Sequence, residues 1–368
     1  MSIKSAIPFT STLDEKIDTD WGSFTHEVKQ KIGHLEADYK EQRRRRAIGA
    51  SVLAGTFMVF QIGEFLPRLI PDAYTLLVTV IFILSLLGGG VYGGLMLYRS
   101  KGSSIRNFDK ALNALIFPKV FSLLGVTGSH IEHTPLAQQS HSPKSFQLFT
   151  GTVSNMVQTR SVEAEQVLEL LNHSELITQK KDQMIIDDMF ALSVAGKQLF
   201  VSELLASRNA GGKKKKQEKL FKGYFVSLDL SKTFNGKTFV STEGDKKGFG
   251  HKTFWSTLTN STEVKESIFE SNDFEKLLHV ATSDETEARY ILTPDLMAEL
   301  YDWWRLKNEN IRISFIANRM YLLFPDDEVR LYRTIAEISE PELKKHVRSI
   351  AHPLLHTLHV AESIGRRF

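Results

Sequence analysis

Several groups of side chains in this sequence have types and spacings that could carry chemistry. Asp284, Glu285, Glu287 and Arg289 form a dense charged cluster. A polar pocket built from that segment would suit an enzyme acting on a membrane-delivered substrate. The same residues also have a structural explanation. Asp284 and Glu287 match a helix-start capping box, and Glu285 and Arg289 stand four apart, as in a helical ion pair. Asp187, Asp188 and Glu203 lie on or beside adjacent predicted strands, where paired carboxylates could do acid–base work if burial separated their pKa values. Successive strand residues point to opposite faces, so Asp187 and Asp188 are not such a pair. His352, His356 and His359, with His346 upstream, would share one face of an unbroken helix, as metal ligands can. Pro353 perturbs that turn, and no H-E-x-x-H arrangement completes the set.

Other chemistries are excluded by what the sequence lacks. It contains no cysteine, so disulfides, thiol catalysis and cysteine-ligated metal sites are out. It has no phosphate-binding G-x-x-x-x-G-K-[ST] loop and no G-x-S-x-G nucleophile elbow. The net charge of +3 does not mark a nucleic-acid binder. Lys213 to Lys216 read as a solvated loop, since no aromatic residues interleave to stack on bases. No catalytic, cofactor-binding or metal-ligating residue is assigned, no cofactor is expected, and the reading leans away from an enzyme.

The elements that must position these residues are organised by the stretch from Ala47 to Tyr98. Ala47–Gly63 and Tyr74–Tyr98 carry no charged residue. At about 1.5 Å per residue the first spans roughly 25 Å, slightly short of a bilayer core unless Phe65 and Leu66 extend it. The second is long enough to cross with tilt. The reading is a transmembrane hairpin, 47–66 and 74–98. Arg43 to Arg46 abut the first span and Arg99, Lys101 and Arg106 follow the second. The turn from Glu64 to Ala73 holds only Arg68 as a basic residue, against Glu64 and Asp72. The positive-inside rule then places both termini in the cytoplasm. Gly89/Gly93 and Gly90/Gly94 form overlapping G-x-x-x-G spacings, and Ser51/Gly55 offers a similar small face. No ionisable residue sits mid-span, so the hairpin reads as an anchor rather than a transporter.

Before the hairpin, residues 1–46 form the N-terminal cytoplasmic segment. Residues 1–11 read as unstructured; then Leu13, Ile17, Trp21, Phe24, Val28, Ile32, Leu35 and Tyr39 step by three or four and place one apolar stripe on a helix. Self-packing or pairing with another helix would bury it. After the hairpin, Asn107–Leu124 reads as a helix interrupted at Pro118, Gly125–Ser145 as irregular and Val162–Leu171 as a short helix. Ile185–Val194 and Gln198–Leu205 form a predicted β-hairpin about Ala195-Gly196-Lys197. Phe221–Leu230 reads as a strand, Asn235-Gly236 as a hairpin turn into Lys237–Ser241, and Leu277–Ala281 as another strand. Thr293-Pro294-Asp295 starts a helix through Leu306. Ile311–Ile316 and Arg319–Phe324 form a last hairpin, and a helical region broken near Pro341 and Pro353 closes the chain. The fold class is α+β, with antiparallel strands and flanking helices.

Leu220-Phe-Lys-Gly-Tyr-Phe-Val-Ser-Leu-Asp, Phe234-Asn-Gly-Lys-Thr-Phe-Val and Thr282-Ser-Asp-Glu-Thr-Glu-Ala-Arg-Tyr-Ile-Leu-Thr-Pro-Asp-Leu-Met resemble the bacterial DUF3137 family, sometimes labelled "galanin". Ile313–Leu322 and Ser174–Phe190 fit the same pattern. The resemblance covers roughly residues 160–360 and is most distinctive over Asp284–Pro294. The loops at 209–219 and Glu243–Glu270 are longer than the family leads one to expect. The resemblance implies a paired transmembrane segment followed by a cytoplasmic domain, here 104–368, at the bacterial inner membrane. It supplies no catalytic residue, because the family's function is itself uncharacterised. The expected partners are the lipid bilayer and either another protein or a second copy, with no nucleic acid. Trp303 and Trp304, beside Tyr301, are candidate contact aromatics.

Overall fold

The computed structural model describes residues 13–19, 21–63, 87–96, 103–131, 162–178, 183–210, 216–242, 255, 258–259, 263–269, 278–307, 311–326, 335 and 337–368. The helices are α1 (Gly22–Gly63), α2 (Ser103–Leu124), α3 (Val162–His173), α4 (Glu285–Ile291), α5 (Pro294–Lys307) and α6 (Glu340–Gly365). The strands are β1 (Thr127–Ile131), β2 (Gln183–Val194), β3 (Lys197–Ala210), β4 (Lys216–Asp229), β5 (Lys237–Ser241), β6 (Lys265–Ser267), β7 (His279–Thr282), β8 (Arg312–Ile316) and β9 (Arg319–Pro325). Two compact units result: Asp14–Ile116 with Arg333–Arg348, and Phe117–Tyr332 with Ser349–Phe368.

In the first unit, α1 runs 42 residues, about 63 Å. It continues from the striped segment into the uncharged one without a break. Ile17, Trp21, Phe24, Val28, Ile32 and Tyr39 are buried. The stripe is covered from within the chain. Tyr39 stacks on Phe108 with centroids 4.7 Å apart. Glu36 accepts from the backbone N–H of Ile338, and Arg348 reaches both Asp14 and Asp18. The helix expected over 13–46 is divided: residues 13–18 are helical, and α1 begins at Gly22.

The second unit is built on one nine-stranded antiparallel sheet, in the order β1-β2-β3-β4-β9-β8-β5-β7-β6. Two of the three hairpins read from sequence are present. Ala195 and Gly196 both take positive φ, 51° and 75°, which matches the twist of a two-residue turn between β2 and β3. Ala317, at φ 52°, turns β8 into β9. From the paired registers, Phe225, Tyr321, Ser314, Phe239 and Ala281 share one face of the sheet. That face and the α3 residues Val167 and Leu171 form one apolar cluster. On the other face Phe190 meets Phe117 and Phe121 edge-on.

Four expectations are corrected. Asn235-Gly236 does not close a hairpin: β4 pairs with β9, and β5 pairs with β7 and β8. Gly236 is needed instead because a Cβ there would stand 2.8 Å from the Asp284 Cβ. Part of the segment expected to be irregular, Thr127–Ile131, is an edge strand, with Gly128 drawn close against Leu192. Neither Pro118 nor Pro353 breaks its helix. Each proline costs about 3 kcal/mol in a helix interior, which burial of Ile116, Phe117, Val120 and Phe121, or of Ala351, Leu354 and Leu358, at roughly 1.5–3 kcal/mol per large side chain, outweighs.

Among the described residues no helix is long and apolar enough to cross a membrane. The predicted turn and residues 74–86 and 97–98 of the second span lie outside the described residues, as do residues 1–11 and 132–145.

Candidate functional site

The charged cluster at Asp284–Arg289 is positioned by the end of β7 and the start of α4. Asp284 is the N-cap, in extended conformation, and its Oδ1 accepts from the backbone N–H of Glu287 at 3.0 Å. Only half of the expected capping box forms. The Asp284 N–H donates to Thr282 Oγ1, while the Glu287 carboxylate accepts the backbone N–H groups of Asn235 and Gly236 at 3.1 and 2.7 Å. Glu287 thereby ties the segment before β5 to α4. Arg289 pairs with Glu285 at 3.0 Å, donates to the Ile268 carbonyl and lies over the Phe269 ring. Every charge in the cluster has a structural partner, and the Arg289–Glu285 pair is exposed.

The three carboxylates on neighbouring strands meet differently from the expectation. The register of β2 against β3 shifts between Ile186 and Met189, so Asp187 and Asp188 form a bulge opposite Glu203. Glu203 is buried and accepts from the Tyr224 hydroxyl at 3.1 Å. His352, His356 and His359 lie on the unbroken α6 at the spacing read from sequence, and all have partners of their own. Among the described residues no group of three or more His, Asp or Glu could hold a metal ion. Lys213–Lys215 and the side chains of Lys216, Trp303 and Trp304 lie outside the described residues.

Sequence reasoning missed a polar layer beneath α3. Tyr321 OH and His173 Nδ1 share a hydrogen bond of 2.9 Å. Ser314 donates to the Ser174 carbonyl, and the buried Arg312 guanidinium donates to the Leu176 carbonyl at 2.7 Å. Lys237 Nζ lies 2.7 Å from Glu175 and 3.5 Å from Glu263. The hydrogen bond to Glu175 raises the Lys237 amine, against a smaller opposing effect of burial. Burial also pushes the Tyr321 phenol above its ordinary range, and the Arg319 guanidinium pulls it part of the way back. A phenol that holds its proton more tightly is the opposite of an activated nucleophile. This layer clamps residues 173–176 to the sheet. Its trace in the sequence is Arg312 and Ser314, two polar residues alternating with the apolar residues of β8.

The other candidate is the paired helical segment of the first unit. Residues 87–96 are helical and lie against α1. A Cβ on Gly93 would stand 2.8 Å from Leu53 Cγ and 3.1 Å from the Gly49 carbonyl oxygen. A Cβ on Gly89 would strike the Thr56 hydroxyl. Gly49, Leu53 and Thr56 therefore make the contact face, and not Ser51 and Gly55; Gly55 and Gly94 have open space where a Cβ would point. Around this seam, Ile48, Phe57, Met58, Leu87, Val91, Tyr92 and Leu95 are exposed, with Met58 at 71% and Val91 at 61%.

Residues 219–364 match the family model "Protein of unknown function (DUF3137)". The matched stretch contains the capped α4, the β8–β9 hairpin and most of α6. The match begins at Lys219, so the upstream part of the resemblance, from about residue 160, is not covered by it. No curated protein and no solved structure matches the chain.

Proposed function

We propose that residues 47–98 form a two-helix membrane hairpin, and that it tethers the α+β unit on the cytoplasmic side of a bacterial inner membrane with both termini inside. The role is that of an interaction module, binding another protein or a second copy, rather than that of an enzyme. The observation that carries the anchor reading is the ring of exposed apolar side chains on α1 and residues 87–96. Large apolar groups left at 37–71% exposure around a tightly packed glycine seam suit lipid and not water. The exposed run Arg43–Arg46 precedes this ring on the same helix, where the positive-inside rule would set the cytoplasmic boundary.

The non-catalytic part of the reading is supported by how the charged groups are used. Asp284, Glu287 and Arg289 are engaged in capping, in tying the segment before β5, and in an exposed ion pair. Alkaline carbonate washing of membranes from cells expressing the full chain tests the anchor. The chain should stay in the pellet and leave it only with detergent; release by carbonate alone would refute the reading. Chemical crosslinking in the same membranes should give discrete higher-mass species.

A further inference from the structure

One turn beyond the Gly93 contact, an open pocket of about 370 Å³ is lined by Glu41, Arg44, Arg45 and Ile48 of α1 and by Met96. At about 100° per residue, the four α1 residues occupy one side of the helix, and Arg43 and Arg46 project roughly 150° from its centre. The pocket is graded along the helix. Glu41, Arg44 and Arg45 form its polar end, while Ile48 and Met96 form its apolar end, toward the uncharged run. Arg45 Nε donates to Glu41 at 2.9 Å, which leaves its terminal nitrogens to spare. Among the described residues Arg44 has no ion-pair partner. The lining therefore carries one positive charge in excess, two arginines against one carboxylate.

The geometry points to a site for one anionic phospholipid, its phosphodiester held by Arg44 and Arg45 and its glycerol and upper acyl carbons against Ile48 and Met96. This rests on the membrane-hairpin reading and adds the lipid class to it. A guanidinium pair recognises phosphate through forked N–H donors, and a basic pocket between membrane helices on the cytoplasmic side has the composition such headgroups require. The excess of one positive charge favours a lipid of net charge −1, such as phosphatidylglycerol, over a zwitterionic one. Free phosphate would satisfy the arginines alone and would gain nothing from Ile48 and Met96.

Native mass spectrometry of the full chain in detergent, titrated with phosphatidylglycerol or phosphatidylcholine, tests the site. Wild type should retain one phosphatidylglycerol in preference to phosphatidylcholine, and millimolar inorganic phosphate should not displace it. Arg44→Ala with Arg45→Ala should cut that retention about tenfold or more, at roughly 1 kcal/mol per arginine near an anionic surface. Arg43→Ala with Arg46→Ala, the same charge lost from the far side, should leave it largely unchanged, because neither side chain lines the pocket. Glu41→Gln should raise it. Equal losses from both double variants, displacement by phosphate, or equal retention of the two lipids would overturn the proposal. Failure of the hairpin itself reads out separately, as wild-type chain that needs no detergent to stay in solution.

Discussion

Gly93 and Leu53 approach so closely that a single added methyl group on the glycine would stand 2.8 Å from Leu53 Cγ. With Gly89 against Thr56 one turn away, this contact defines how α1 and residues 87–96 pack. Gly93→Val should splay the pair at a cost of about 1–3 kcal/mol, the usual scale for overpacking. The fall in the melting temperature of the full chain in detergent measures it. Gly94→Ala, where space is open, should be near neutral by the same assay.

The same seam predicts a disulfide. The Cβ position on Gly89 lies 3.5 Å from the Thr56 Cβ, at the close end of the range that a disulfide bridges. The chain has no cysteine of its own to compete. Thr56→Cys with Gly89→Cys should oxidise to an intrachain bond, seen as a reducible mobility shift without dimer. Adding Gly93→Val should lower the yield.

Magnitudes separate the roles of Glu287 and Arg289. Glu287→Ala leaves two backbone N–H groups without their acceptor and should cost about 1–3 kcal/mol. Arg289→Ala removes an ion pair whose side chains are 47% and 62% exposed, worth under about 1 kcal/mol. Urea denaturation followed by tryptophan fluorescence ranks the two. A larger loss for Arg289→Ala would reverse the structural assignment of this segment.

The polar layer under α3 predicts an alkaline limb of instability. Tyr321 and Lys237 both hold their protons more tightly folded than unfolded. Their contribution is complete below the unfolded-state values near pH 10, and is lost as pH rises through the higher folded-state values. Thermal melts from pH 9 to 11.5 should fall, and the fall should be shallower in Tyr321→Phe. Arg312→Ala should lower stability by about 2–4 kcal/mol across the neutral range, because it removes a buried, hydrogen-bonded charge from this layer.

What could be read from the sequence was local. The apolar stripe from Ile17 to Tyr39, the turns at Ala195-Gly196 and Ala317-Asn318, the Asp284 cap and the proline that opens α5 depend on residues a few positions apart, where periodicity and turn chemistry act. What could not be read was set by distant partners. Arg312 meets Leu176 from 136 residues away, and Tyr321 meets His173 from 148. Asn235-Gly236 has the composition of a hairpin turn, yet the position of α4 decides its use. Glu287 followed the capping pattern in type and spacing, but its carboxylate found two better donors across the fold. The proline positions misled for the opposite reason, since tertiary burial outweighs a local penalty.

The side of the membrane on which each part lies tests the account most directly. In the cysteine-free chain, Ala73→Cys marks the predicted external turn and Ser193→Cys an exposed position at the end of β2. Spheroplasts are treated with a membrane-impermeant maleimide before and after lysis. The account predicts labelling of Ala73→Cys in intact spheroplasts and of Ser193→Cys only after lysis. Labelling of Ser193→Cys in intact spheroplasts, or recovery of both variants in the soluble fraction, would contradict it.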